Sequence, residues 1–281
     1  MPYTIRPISR EEFSTAVDLA AAEGWNPGLH DADAFYPTDS EGFLAGFLDG
    51  EPIAYVSAVR YGESFGFIGF YIVLPEHRGK GYGMEIFRAA LDRLDGRVIG
   101  ADGVFERLSD YESIGFRLAY RNIRFRYRVT GEEKSSLPSL RPLFKVPFNA
   151  LLAYDTDCFP IGRETFLKHW IALPDSYGAA VVEEGGLRGY GMIRSCREGY
   201  KIGPLFADDA TIAEEIFLEL CTFANAGETI FFDIPEVNGP GMAIAERYGM
   251  EQAFGTGRIY MNGEPEVDLG RVFGVTSFEL G

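Results

Sequence analysis

The sequence predicts an α/β (α+β) fold in two tandem modules, each a mixed, mostly antiparallel sheet flanked by helices. Three observations carry the prediction. Short apolar runs bounded by turn residues alternate with stretches of helical periodicity. The order meander, helix, strand, helix occurs twice along the chain. Equivalent landmarks lie 43 positions apart in the first half (Val73 to Phe116) and 45 in the second (Leu205 to Met250), the mark of an internal duplication. The expected boundaries are a first module over residues 1–130, a linker over 131–145 and a second module over 146–281.

Taken in order, Tyr3 to Ile8 reads as a first strand. Ser9 and Glu12 then form the pattern of a capping box, and Phe13, Ala16, Val17 and Ala20 follow at helical spacing until Gly24 closes the helix. Residues Trp25 to Gly42 are polar and turn-rich and are expected as a loop; their aromatics can pack the loop down or line a ligand site. Phe43 to Leu74 reads as three strands, turning at Asp49-Gly50 and again at Gly62 to Phe65. The glycine-rich stretch "PEHRGKGYG" (75–83) leads into a helix over Met84 to Leu94. Val98 to Phe105 is strand and loop, Arg107 to Phe116 a short helix, and Leu118 to Val129 a strand. On that strand Arg124, Arg126 and Arg128 alternate with apolar residues, which predicts a solvated face. Thr130 to Pro142 is polar and proline-containing, as a linker would be. In the second half Arg163 to Ile171 reads as helix, Tyr177 to Phe206 as a meander, Asp209 to Ala226 as helix, Thr229 to Pro235 as strand and Gly241 to Met250 as a short helix.

Composition narrows the function. The formal net charge is −16, divided as −5 over residues 1–130 and −11 over the remainder. Such a surface opposes nucleic acid and anionic membranes, so neither is an expected partner. Three cysteines (Cys158, Cys196, Cys221) and three histidines (His30, His77, His169) are scattered at no metal-ligand spacing, and no metal is expected. The first residues lack the layout of a signal peptide, and no apolar run has the length to cross a bilayer; a cytoplasmic protein, monomer or homodimer, is the expectation.

A glycine loop between strand and helix offers backbone N–H groups and the positive end of a helix dipole to a phosphate. It is not a Walker A loop, because Gly81 follows Lys80 where Ser or Thr would hold magnesium. It is not a dinucleotide fingerprint either, because Met84 stands where the third glycine belongs.

The run Val73-x-Pro75-x-x-Arg78-Gly79-x-Gly81-x-Gly83 resembles the acetyl-CoA loop of the GNAT acetyltransferase superfamily, and Tyr111-Glu112-Ser113-Ile114-Gly115-Phe116 resembles its second signature, Tyr-x-x-x-Gly-Phe. The resemblance spans residues 3–128, and the second half looks like a diverged module of the YitH type. It implies that the amides of Arg78, Gly79, Lys80, Gly81, Tyr82 and Gly83 hold the pyrophosphate of acetyl-CoA, with charge from Arg78 and Lys80. It further implies that the strand edge at Ile72 and Val73 bonds the pantetheine arm, and that Tyr111 gives a proton to the leaving thiolate. An alkylamine acceptor, with a pKa of about 10.4, needs a group to take its proton. Glu63, Asp102 or a water wire to backbone carbonyls are the alternatives. Trp25, Asn26, Asp31 and Tyr36 are the candidate acceptor contacts.

In the second half Ala245 aligns with Tyr111, and Phe206 to Glu215 replaces the glycine loop with Asp208 and Asp209 where phosphates would lie. Two carboxylates there repel a pyrophosphate, so this half is expected to shape the site rather than bind acetyl-CoA. The function expected is acetyl transfer from acetyl-CoA to a primary amine, a small molecule, within a ternary complex. Its alternatives are a non-catalytic acyl-CoA-binding regulator and a protein lysine or N-terminal acetyltransferase.

Overall fold

The computed structural model describes residues 3–281. The first half supplies β1 (Tyr3–Pro7), α1 (Arg10–Ala22), α2 (Asp31–Thr38), β2 (Phe43–Leu48), β3 (Glu51–Tyr61), β4 (Phe65–Val73), α3 (Tyr82–Arg93), β5 (Val98–Val104), α4 (Leu108–Ser113) and β6 (Arg117–Arg128). The second supplies β7 (Leu140–Pro142), α5 (Phe148–Asp157), α6 (Glu164–Trp170), β8 (Ser176–Glu183), β9 (Gly186–Ser195), β10 (Tyr200–Ala207), α7 (Ala210–Cys221), β11 (Thr229–Pro235), α8 (Gly239–Arg247), β12 (Glu251–Met261) and β13 (Val272–Gly274).

Local chemistry accounts for most boundaries. Ser9 Oγ accepts the Glu12 N–H (3.2 Å) and the Ser9 N–H donates to Glu12 Oε2 (2.8 Å), so the capping box starts α1. Asp209 caps α7 by accepting from Ile212 N–H (3.0 Å). The stretch expected as a loop after Trp25 instead contains α2. Its Ala32, Ala34 and Phe35 are buried, and Phe35 lies flat on Trp170 of α6, ring centroids 5.7 Å apart. Packing against the second half stabilises a helix whose own propensity, with Pro37 inside it, is poor. Within the expected linker, Leu140–Pro142 pair with β8 at the sheet edge. Helix α5 and strand β12 had no sequence reading of their own.

Among the described residues thirteen strands join one sheet, in the order β1-β2-β3-β4-β5-β12-β6-β11-β10-β9-β8-β7, with β13 on β10. Most neighbours are antiparallel, while β4–β5 and β10–β11 are parallel. Strand β12, from the second half, lies between β5 and β6 of the first, and β6 in turn pairs with β11. The halves thus exchange strands inside a continuous sheet.

Buried ion pairs reinforce the exchange. Arg124 on β6 forks onto Asp233 on β11 (2.7 and 2.7 Å), Arg258 on β12 onto Asp102 on β5 (3.0 and 2.7 Å), and Arg194 on β9 onto Asp31 on α2 (2.6 and 3.1 Å). All six side chains are almost fully buried. The solvated arginine face expected on β6 therefore holds only for Arg126 and Arg128; Arg124 faces inward because a carboxylate waits there.

Candidate active site

Strands β4 and β5 pair only from Phe65–Ile68 to Val98–Ala101. Beyond Ile68 the register of β4 against β3 shifts, and Phe70 takes a left-handed φ of +48°. A bulge of this kind bends its strand and ends pairing on one side. The strands splay, and a cleft of about 650 Å³ opens between them, walled by the glycine loop, α3 and α4.

The donor end of the cleft is built from backbone. Gly79 (φ +72°) and Gly81 (φ +93°) hold left-handed conformations that a side chain would strain. Gly81 caps α3; Met84 N–H turns back to Gly81 O (3.0 Å), and the N–H groups of Tyr82 and Gly83 are left for an anion. Leu74 donates its N–H to Ile53 of β3 (2.9 Å). By antiparallel alternation Val73 and Tyr71 turn their N–H and C=O groups the other way, to the edge that β5 has left free. Ile72 lines the cleft, but its backbone polar groups face Tyr55 on β3, so the expected edge pair shifts from Ile72 and Val73 to Tyr71 and Val73. Arg78, Gly79, Gly81 and Gly83 also line the cleft. Arg78 does not project as a free cation: its Nε donates to Val73 O (2.8 Å) and its guanidinium pairs with Glu23. Lys80 is exposed outside the lining, and Tyr82 packs its ring on Tyr3 (4.9 Å).

Tyr111 comes from α4 into the same cleft, wedged between Phe87 and Phe116 with ring centroids 5.8 and 5.9 Å away. Burial pushes its pKa up to about 12. The phenol thus keeps its proton at neutral pH and is available to hydrogen-bond, and to protonate, a thiolate as it leaves.

Neither carboxylate proposed as base is placed for the task. Glu63 sits exposed in the β3–β4 turn, at the opposite end of β4 from the loop. Asp102 does line the cleft, but its oxygens accept from Arg258 and from Asn122 Nδ2 (2.9 Å), so they are engaged in holding β5, β6 and β12 together. Of the acceptor candidates only Trp25 borders the cleft; its carbonyl is pinned by Arg124 Nη1 (2.8 Å) and Lys201 Nζ (3.4 Å). Asn26 exchanges two hydrogen bonds with the Glu198 backbone, Asp31 is consumed by Arg194, and the Tyr36 hydroxyl donates to Ile8 O (3.1 Å). Each is structural for the plain reason that a partner holds its polar atoms.

Sequence reasoning missed the wall contributed by the second half. Phe254 and Thr256 of β12, with Phe278 and Glu279 of the segment after β13, complete the cleft opposite the loop. In the second half itself, Asp208 is held by Arg188 (2.6 Å), Arg271 (3.0 Å) and Tyr154 (2.8 Å), beside the capping Asp209. Ala245 is buried. Among the described residues no group of three or more His, Cys, Asp or Glu could hold a metal, and no helix is long and apolar enough to cross a membrane.

Comparison with known proteins agrees with this geometry. The model of the acetyltransferase (GNAT) family matches residues 4–116, and that of an acetyltransferase (GNAT) domain matches 151–274. A protein of Pseudoalteromonas sp. (strain SANK 73390) named holothin acyltransferase is 28% identical over 279 residues, covering 99% of this chain and 95% of the relative. A solved protein of Pyrococcus horikoshii superposes with a TM-score of 0.83 at 21% identity, over 99% of this chain and 96% of the other. A tandem GNAT protein from the clavulanic acid biosynthesis pathway superposes with a TM-score of 0.65 at 10% identity, over 94% of this chain and all of the other. The cleft, the two family matches and the named relative lead to one conclusion: the chain is an acyltransferase belonging to the GNAT superfamily, with two GNAT domains in tandem.

Proposed function

We propose that the protein transfers an acetyl group from acetyl-CoA to a primary amine of a small molecule, in the cytoplasm, by direct attack within a ternary complex. The observation that carries the reading is the splayed β4–β5 cleft, which brings the glycine loop, the free edge of β4 and Tyr111 to one cavity. Bound acetyl-CoA supplies an activated thioester. The first-turn amides of α3 and the loop bind its pyrophosphate, the N–H groups of Tyr71 and Val73 align its pantetheine arm and polarise the carbonyl, and Tyr111 holds a proton for the sulfur. Aromatic walls from Trp25, Phe254 and Phe278 favour a compact acceptor over a protein chain, and the relative named for acyl transfer to holothin supports the same class. The second half serves this site as its wall. Three free, buried cysteines fit a reducing compartment.

Isothermal titration with acetyl-CoA tests the reading. Wild type and Tyr111→Phe are expected to bind one equivalent with equal affinity. Gly81→Glu weakens binding roughly 100-fold, because it sets a carboxylate against the pyrophosphate and strains the loop. An unchanged affinity in Gly81→Glu rules out the loop as the donor site. In steady-state kinetics Tyr111→Phe lowers kcat by about 100-fold while KM for acetyl-CoA stays constant. A raised KM with kcat intact would make Tyr111 a binding residue instead.

A further inference from the structure

We propose that Thr256 and Glu279 on the cleft wall, with Asn122 beside Thr256 on β6, form an amine-docking site that receives the N–H groups of the acceptor, and that Glu279 takes its proton; this rests on the acyl-transfer reading above. Glu279 is 2% exposed, and neither carboxylate oxygen has a hydrogen-bond partner. Thr256 Oγ1 and Asn122 Oδ1 are likewise buried without partners, and these two residues face each other across β12 and β6. The orientation of the Asn122 amide follows from chemistry. Its other terminus lies 2.9 Å from Asp102 Oδ1, and a carboxylate can only accept, so the nitrogen points there and the oxygen is the orphan. Phe254 and Phe278, with rings 6.3 Å apart, bring the start of β12 beside the segment that carries Glu279.

Buried orphans are rare, because each has given up its hydration without a partner in exchange. Of the four, three are pure acceptors and the fourth, a hydroxyl, can accept; the nearby Arg194 Nη1 is a buried donor without a partner. What complements such a set is a group rich in N–H, namely an amine. A flat or aromatic body on that amine fits between Trp25, Phe254 and Phe278.

The step balances with acyl-CoA as donor. The lone pair of the neutral amine forms the N–C bond, and the C–S bond breaks. One N–H proton passes to the Glu279 carboxylate, while the thiolate leaves with its electron pair and takes the Tyr111 proton. Solvent then resets both residues, for a net exchange of amine and thioester into amide and thiol. The charged groups facing Glu279 are Asp31 from α2, Arg124 from β6, Arg194 from β9 and Lys201 from β10. Burial raises the Glu279 carboxyl above its ordinary value in spite of the three cations. The base is therefore active only above that raised value.

The test uses the full chain as wild type, Glu279→Gln, Glu279→Asp and Thr256→Val. Each is measured by acetyl-CoA titration and by thiol release with tryptamine, benzylamine and ethanolamine between pH 5.5 and 9.5. Glu279→Gln is expected to bind acetyl-CoA like wild type and to lose about 100-fold in kcat across the pH range, with partial rescue in Glu279→Asp. Thr256→Val raises the amine KM about tenfold, and the aromatic amines outrun ethanolamine. At pH 8 Glu279→Gln melts no lower than wild type. A carboxyl with a raised folded pKa stabilises the fold below its unfolded value and loses that contribution as pH rises through the folded one. A carboxylate kept for stability would show the reverse. Wild-type kcat in Glu279→Gln overturns the inference and leaves the donor site standing. Absence of turnover of all three amines by a wild type that binds acetyl-CoA overturns it as well. Failure of wild type to bind acetyl-CoA overturns the underlying reading and this inference with it.

Discussion

Asp155→Ala is expected to remove about 3–5 kcal/mol of stability, read as a fall in the urea midpoint at unchanged slope. The side chains of Asp155 and Arg163 have no solvent exposure. The guanidinium donates Nε and Nη2 to the carboxylate (2.9 and 2.9 Å), Nη2 again to Thr276 Oγ1 (2.8 Å) and Nη1 to Gly281 O (3.2 Å). It lies over the rings of Phe159 and Phe166. The Tyr190 hydroxyl donates to the same carboxylate at 2.5 Å. Removing Asp155 leaves a charge in an aromatic box with no counter-ion and no route to water. The loss comes from stranding that charge, so Asp155→Ala combined with Arg163→Met should recover most of it. A single mutant that loses less than about 1 kcal/mol would show that water reaches Arg163. The cluster matters to the site because Thr276 anchors the segment that carries Phe278 and Glu279.

Gly69→Val is the second large effect, and it strikes stability and catalysis together. A Cβ at position 69 would stand 2.0 Å from the carbonyl oxygen of Glu279 and 2.8 Å from its carbonyl carbon. Backbone cannot swing aside as a side-chain tip can, so either the β4 bulge or the 275–281 segment must move. We expect a loss of about 3 kcal/mol, the upper part of the range for overpacking. Acyl transfer should fall below detection, while acetyl-CoA still binds at the loop within a few fold. Circular dichroism melts, titration and thiol release on one preparation separate these outcomes. Full activity in Gly69→Val would mean that the 275–281 segment does not lie under β4.

What could be read from the sequence divides along a physical line. The strands of the first meander, the capping box at Ser9 and the placing of the Gly79–Gly83 loop and Tyr111 at a strand-to-helix turn and a short helix were legible because their determinants lie within a few residues of one another. The fate of Asp102 was not. It sits at the end of an apolar strand, where a free carboxylate would look the same, and its partner Arg258 is 156 positions away. Arg124 looked solvated for the same reason, since nothing near it announces Asp233. Asp31 and Asn26, candidate acceptor contacts by sequence, are contacts with the second half. Glu279 carries no local signal: "SFELG" is an ordinary run, and only the burial of a carboxylate without a partner makes it conspicuous. Helix α2 lay on the same side of the line, because its stability comes from Trp170 rather than from its own residues.

The place of β12 also dictates a sequence of events when the chain is made. As the first half leaves the ribosome, β5 has β4 on one side and an unsatisfied row of amides and carbonyls on the other. The strand that covers this row, Glu251–Met261, is synthesised only after β11 and α8 of the second half. Through that interval the nascent chain carries an open strand edge, the feature by which sheets recruit the wrong partner. Closing a contact over so long a loop is slow compared with local pairing. Refolding should therefore be slow and concentration-sensitive, and shielding by a chaperone should improve the yield. Expressed alone, residues 1–130 would keep that edge for good and self-associate, even with every motif of the donor site present.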